Sequence, residues 1–405
     1  MSTPKTGLGA VLRRELRYLT TRPIYLFAIF GAPLLVTLML LYMMGGGLPT
    51  NMPVAVVDED HTATSRALTR SLDAFQSSEV ALEAASMPEA LEAMRRGEVY
   101  AIFHIPSGLQ AGAGSARQPK LHYYTNSAYL MAGSFTFRDM KMLSELASAK
   151  VGLQTGQAKG KTMEEIMATV QPIVVRNEVM SNPWLNYSAY LTTTILPGIL
   201  QLMILLLTSY SIGLEIKRGT ASEWLRLAKG SMSRALIGKL LPQTILFVLS
   251  GWIIQGILYG WMGYPLQSGW APMALAMVFL VLAAQALGIF FISLIPVLRM
   301  GMSLGSLLGM LSFSISGMSI PVSSMIAPMQ TLAYIFPLRY YFRIGINQAL
   351  IGAPFADSLP QYIGLLAFIF LPLIMLPRLR KYLLNVGYIA CCFYEYHPLS
   401  QTPHK

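Results

Sequence analysis

Apolar residues gather along this chain in six long runs, separated by short charged links and by one long stretch of mixed character. A helix that crosses a bilayer needs about 20 mostly apolar residues. Six segments meet that requirement: Ile24–Met44, Ala189–Gly213, Gln243–Tyr264, Ala271–Leu298, Gly301–Ile320 and Gln361–Pro377. The first is too long for the roughly 7–15 apolar residues of a secretory leader, and no small-residue cleavage site follows it. It reads as an uncleaved anchor.

Between the first two runs the pattern changes. Residues 45–186 hold 14 of the 19 acidic residues and alternate short apolar runs with polar turns, as a soluble domain does. "PVAVVDED" predicts a strand running into a loop. "TATSRALTRSLDAF" places Leu68, Leu72 and Phe75 at helical spacing behind a threonine cap. "MPEALEAMRRG" predicts a second short helix, with proline at its start and glycine at its end. "VYAIFHI" and "PKLHYYT" predict two more strands. The mixture of short strands and helices predicts a small α/β domain, and the helical pattern from Ala128 to Met180 predicts a stalk leading back into span two.

Composition agrees with the pattern. Hydrophobic residues make up 54% of the 405 positions and charged residues 12%, about half the roughly 25% of a soluble protein. A net charge of +11 invites a nucleic-acid reading, but in a membrane protein basic residues hold loops in the cytoplasm. Lys5, Arg13, Arg14, Arg17 and Arg22 precede span one; Lys217, Arg218, Arg226, Lys229, Arg234 and Lys239 lie between spans two and three. Arg299 lies between spans four and five, and Arg378, Arg380 and Lys381 follow span six. All four clusters fall on one side if the spans alternate, which predicts both termini in the cytoplasm and residues 45–186 outside it. The expected fold is an α-helical integral membrane protein of six transmembrane helices with an inserted α/β extracytoplasmic domain.

Two stretches imitate chemistry. "DEDH", Asp58 to His61, resembles a metal cluster, but adjacent residues directly after a strand point apart, and a solvated loop is the better reading. "TGQAKGKT" ends like a phosphate-binding loop, yet that motif needs glycine where Thr155 stands and an apolar strand before it. The five histidines show no metal-ligand spacing, and the only cysteines, Cys391 and Cys392, are adjacent. No metal and no cofactor of the chain's own is expected.

The six apolar segments contain no Asp, Glu, Lys, Arg or His. Carriers driven by ion gradients usually keep such residues at membrane depth, so that class is disfavoured. Gln201, Gln255 and Gln285 are the main large polar residues there, suited either to interhelical hydrogen bonds or to a substrate path. "GMSLGSLLG" sets Gly301, Gly305 and Gly309 four apart on one helix face, for packing within the chain or for a dimer seam. Residues 321–352 are broken by Pro321, Pro328 and Pro337, which predicts an outer re-entrant or interfacial hairpin with Tyr334, Tyr340 and Tyr341 at headgroup level.

Three motifs occur in order on this topology. They are "VAVVDEDHTATSRALTRSL" with "EALEAMRRGEVYAIFHIPSGL", then "EIKRGTASEWL" with "LIGKLLP", then "ISGMSIPVSSM" with "FPLRYYFRIGINQALIG". Together they resemble permeases of the ABC-2-type transporter family, in the exporter subgroup with a large external domain between spans one and two. The chain departs from that pattern at Asn347, where many relatives have arginine, in "LRLAKGSMS", which lacks a common proline, and in the tail 382–405. The resemblance implies a half-transporter of the bacterial inner membrane that dimerises with a second copy or a paralogue. It implies a separate ABC ATPase subunit that binds the ATP. A periplasmic adaptor, an outer-membrane channel and membrane lipids are further candidate partners; nucleic acid is not.

The resemblance also implies a role for the cytoplasmic segment 214–239. A short polar helix there can dock its charged face on the ATPase. Glu215, Lys217, Arg218, Glu223 and Arg226 would form salt bridges, Gly219 and Thr220 a turn and cap, and Trp224 a contact with the partner or the headgroups. The domains expected are 1–44, 45–186, 187–381 and the tail 382–405. The function implied is export of amphipathic or hydrophobic substrates such as drugs or lipids. The alternative is a membrane-anchored signalling protein that transmits force without moving a substrate.

Overall fold

Six helices are long and apolar enough to cross a membrane: Pro23–Met43, Tyr187–Lys217, Met232–Trp261, Trp270–Leu294, Leu298–Ile315 and Phe355–Leu384. The chain is a multi-pass, predominantly helical membrane protein. The computed structural model describes residues 6–44, 47, 49–115, 117–170, 186–318 and 320–395. Lys5, the end of the expected stalk past residue 170 and the tail past residue 395 lie outside the described residues. The chain divides into two compact units, Met1–Gly45 with Val179–Lys405 and Gly46–Glu178.

In the first unit the helices of spans two, three and six outrun their apolar segments, whereas those of spans four and five stop short of theirs, at Leu294 and Ile315. Span two continues to Lys217 and ends where Gly219 takes a left-handed conformation (φ 69°). Span three begins at Met232, capped by Ser231. The sixth helix runs on to Glu395 and takes in Cys391 and Cys392. The short link between spans two and three is thus only Arg218–Ser231.

Span four is the best buried of the six. Its Leu280, Val281, Ala283 and Ala284 pack with Leu200 and Ile204 of span two, Phe247 of span three and Tyr25 of span one. Small side chains allow this closeness, as they do wherever lipid supplies no hydrophobic drive between helices. At Gly288, for example, an added Cβ would lie 3.0 Å from Thr208 Cβ.

The glycine face of span five packs inside the chain, against span two and the end of span four. A Cβ at Gly301 would lie 2.6 Å from Ile292 Cδ1, and one at Gly309 would lie 2.7 Å from Leu202 Cδ1. The nearest side-chain neighbours of Gly305 are Leu205 and Ser209. Gly309→Leu should therefore lower stability by about 1–3 kcal/mol, the range for overpacking a filled contact, as read from the thermal unfolding of purified protein. Unchanged stability would show that this seam is loose.

Residues 321–352 form no single span. A 3-10 turn Val322–Ser324, helices Ala327–Ala333 and Pro337–Ile344, and a π-helical stretch Gly345–Ile351 follow one another. Tyr334 is exposed and Tyr340 partly buried. Tyr341 departs from its expected headgroup position: it is 4% exposed, and its hydroxyl accepts a hydrogen bond from Gln255 Nε2 at 3.1 Å.

The second unit is built on a four-stranded sheet in the order β2-β1-β3-β4, with β1 Met52–Asp58, β2 Ser78–Glu83, β3 Ala101–Ile105 and β4 His122–Thr125. β1 pairs in parallel with β2 and β3, and β4 closes the other edge antiparallel to β3. β1 is apolar from Met52 to Val57 because both faces are covered. Val54 and Val56 pack under helices Ala63–Asp73 and Leu130–Ala158, whereas Ala55 and Val57 pack under helix Met87–Arg96. Asp58 closes the loop after β1, accepting from the backbone N–H of Asp60 and His61 and from the Ser65 hydroxyl. The imitation phosphate loop is a turn between two helices: Gly160 is left-handed (φ 69°), and Thr162 precedes helix Met163–Val170.

Candidate functional site

The charged link opens with a two-faced helix. Left-handed Gly219 starts it and left-handed Lys229 and Gly230 follow it, so Ala221–Leu227 stands as a separate short helix. Ala221, Trp224, Leu225 and Ala228 turn inward and pack with Val11, with Met232, Ala235 and Leu236 of span three, and with Leu379 and Leu383 of the sixth helix. Ser222, Glu223 and Arg226 turn outward.

Val11 belongs to a helix, Leu8–Thr21, that buries Val11, Glu15 and Leu19 at successive turns. Its start is tied to the link, since the Gly7 N–H donates to the Leu227 carbonyl at 2.8 Å. Its middle lies on span three, where a Cβ at Gly238 would stand 2.8 Å from Val11 Cβ.

Four charges meet where these elements join. Lys239 Nζ donates to Glu215 Oε1 at 2.8 Å and to Glu15 Oε2 at 3.1 Å. Arg14 Nη2 donates to Glu215 Oε2 at 2.9 Å, and Gln243 Nε2 donates to Glu15 Oε1 at 3.2 Å. The Thr220 hydroxyl also donates to Glu215. The Lys239 and Glu15 side chains are each 1% exposed, and Trp224 lies beside the ammonium, 5.2 Å from its ring centre. Burial works against the charge on Arg14, but the Glu215 carboxylate outweighs it and holds the guanidinium above its ordinary value.

Two acids and two bases therefore balance in a largely buried site. Such charges are tolerated only while each keeps its partners. The cluster fastens the N-terminal helix, the end of span two, the short linking helix and the start of span three to one another.

The residues expected in the cytoplasmic segment divide between two faces. Lys217, Arg218, Glu223 and Arg226 are exposed. Glu215 is not a docking group: it is 3% exposed and bonded inside the chain. Trp224 faces neither partner nor headgroups, being fully buried, because the turn at Gly219 rotates it inward. Gly219 supplies the turn as expected of its type, but Thr220 makes no side-chain cap, since its hydroxyl is taken by Glu215.

Arg14, Glu15, Lys239 and Gln243 are the members that sequence reasoning missed. One signal was present: Glu15 is a lone acid among N-terminal bases, four residues after Val11 and four before Leu19 on one helix face.

The three glutamines are each used between helices. Gln201 donates to Ser312 of span five, Gln255 to the Met273 carbonyl of span four, and Gln285 accepts from Thr244 of span three. None lines the cavity of about 150 Å³ at Tyr190, Tyr259, Tyr264 and Phe342, which is below the roughly 300–1,000 Å³ of drug-sized sites.

A sequence model of the family described as "ABC-2 family transporter protein" matches residues 23–376 of the chain. No curated protein matches it.

Proposed function

This chain belongs to the ABC-2 family of transporter proteins, and from that premise we propose that it is the membrane subunit of an ATP-driven exporter. Two copies, or one copy and a paralogue, would form the path, and a separate ATPase subunit would bind the ATP. The division of the linking helix into two faces carries this reading. Its inner face packs by apolar contacts on span three and the sixth helix, beside the buried charges that join spans two and three. Its outer face offers Glu223 among Lys217, Arg218, Arg226 and Lys229, and among the described residues Glu223 makes no ion pair. That is a face built for a charged partner and a core built to carry motion.

The cargo we propose is amphipathic or hydrophobic, of the drug or lipid kind. Apolar span surfaces suit it, and the buried charges of Glu15, Glu215 and Lys239 bond one another in a cluster rather than lining a path. The orientation proposed keeps both termini and the linking helix in the cytoplasm of a bacterial inner membrane, with the unit Gly46–Glu178 outside.

Reconstitution tests the function. The chain, purified with the ATPase that accompanies it and placed in vesicles, should move a greasy dye or drug only when ATP is hydrolysed. ATP hydrolysis that no such compound alters, and with which none moves, would sink the exporter reading and leave force transmission. Orientation has its own test, in a background with Cys391 and Cys392 replaced by serine. Ser115→Cys should react with a membrane-impermeant thiol reagent in intact cells, and Ser233→Cys should react only after lysis; both positions are exposed. The reverse pattern would invert the topology.

A further inference from the structure

The imitation phosphate loop has a physical use that no nucleotide explains. Lys159 and Lys161 stand at the turn after the long helix Leu130–Ala158 and line a cavity of about 710 Å³ within the second unit, together with Arg117. Apart from Gln118, the rest of its wall is apolar, small or hydroxylic, with Leu68, Leu109, Leu121, Val151 and Ile166 in the apolar part. Among the described residues no carboxylate lines it and none of the three cations makes an ion pair within 4.0 Å, although Glu165, outside the wall, interacts electrostatically with Lys161. Gly156 closes one end: a Cβ there would lie 2.4 Å from Ile166 Cγ1, so only glycine lets helix Met163–Val170 fold back so closely.

Size and charge together select a ligand. The volume lies in the range of about 300–1,000 Å³ that holds small molecules. The wall follows the long helix from Ser144 to Lys159, about 22 Å at the helical rise. That exceeds the roughly 15 Å depth of one bilayer leaflet, to which lipid chains are matched. A second cavity, at Phe75, Leu143 and Lys150, shares Thr64, Leu68, Ala147 and Val151 with the first and prolongs it. A largely apolar trough with three cations, and no acid among the described residues of its wall, fits a negative head carried on one greasy chain.

We propose that this trough binds a single-chain anionic amphiphile, the head on Arg117, Lys159 and Lys161 and the chain along the helix face past Val151 to Ala147. The assignment concerns binding by the second unit and does not rest on the transport reading. Carboxylate and phosphate heads share the chemistry required.

The test uses the full chain in nanodiscs of zwitterionic lipid. A photoreactive palmitate carrying a diazirine is offered beside an amine of the same chain, and cross-linked peptides are mapped by mass spectrometry. The palmitate probe should mark residues 144–161, and the amine should not. Lys159→Glu with Lys161→Glu should reduce the marking about tenfold or more, since charge-assisted contacts are lost. Ser148→Trp, which blocks the trough from an exposed position, should abolish it while leaving thermal unfolding unchanged. Competition by unlabelled palmitate or by a lysophosphatidic acid tells a free carboxylate from a lipid phosphate. Equal marking by the amine, or marking indifferent to the charge reversals, would overturn the proposal. So would protection by an acidic amphipathic peptide and by neither lipid, which would assign the trough to a protein partner.

Discussion

Lys239→Met should destabilise the membrane unit by about 3–5 kcal/mol, the cost of stripping a buried charge of its partner. The ammonium bonds both Glu15 and Glu215. Without it Glu215 keeps Arg14 and the Thr220 hydroxyl, but Glu15 keeps only the amide of Gln243. A carboxylate 1% exposed and bonded to one neutral amide must take up a proton or draw in water. The N-terminal helix should then loosen from span three. Thermal unfolding measures the loss, and Trp224, beside Lys239 and fully buried, should report it locally through a red shift of its emission. The double variant Lys239→Met with Glu15→Gln should recover much of the stability, because it leaves no uncompensated charge on that side. A single variant as stable as the parent would show that the cluster holds nothing together.

The reversal Glu223→Lys should act on a different link of the chain. The side chain is exposed and bonded to no neighbour among the described residues, so folding should change by no more than about 0.5 kcal/mol. Enclosed against a basic groove of an ATPase, the same carboxylate would count for roughly 2–5 kcal/mol. Docking should weaken about thirtyfold or more at the lower end of that range. Expression and membrane insertion stay normal, and transport and transport-linked ATP hydrolysis fall severely. Glu79→Lys, at an exposed position in the second unit, is the control and should do far less. Normal transport by the Glu223→Lys protein at matched expression would return the link to an ordinary loop. The two variants separate the two faces: one loses stability, the other loses its partner.

Glu215 and Glu223 are eight residues apart and look alike in the sequence, two acids in one basic link. One is sealed inside and the other faces out, and what separates them is the left-handed turn at Gly219. The spans were legible because membrane insertion sums residue by residue along a run of about 20, so local composition is enough. β1, β3 and β4 and helices Ala63–Asp73 and Met87–Arg96 were legible for a similar reason, since alternation and helical spacing are local, but β2 Ser78–Glu83 was not read from the sequence. How far each helix runs past its apolar stretch was not, because that depends on partners for the charges at its end.

Local pattern thus determined that this chain carries six segments long and apolar enough to cross a membrane, each matched by a helix, and a large polar insert between the first two. Only the tertiary structure decided which charges are buried. Lys239 and Glu15 meet across 224 positions of sequence, and nothing near either residue announces the other. It also brought the glycines of span five onto span two, where the sequence allowed a dimer seam as readily. Burial of a charge or close approach at a glycine is settled by what lies opposite, and what lies opposite belongs to distant parts of the chain.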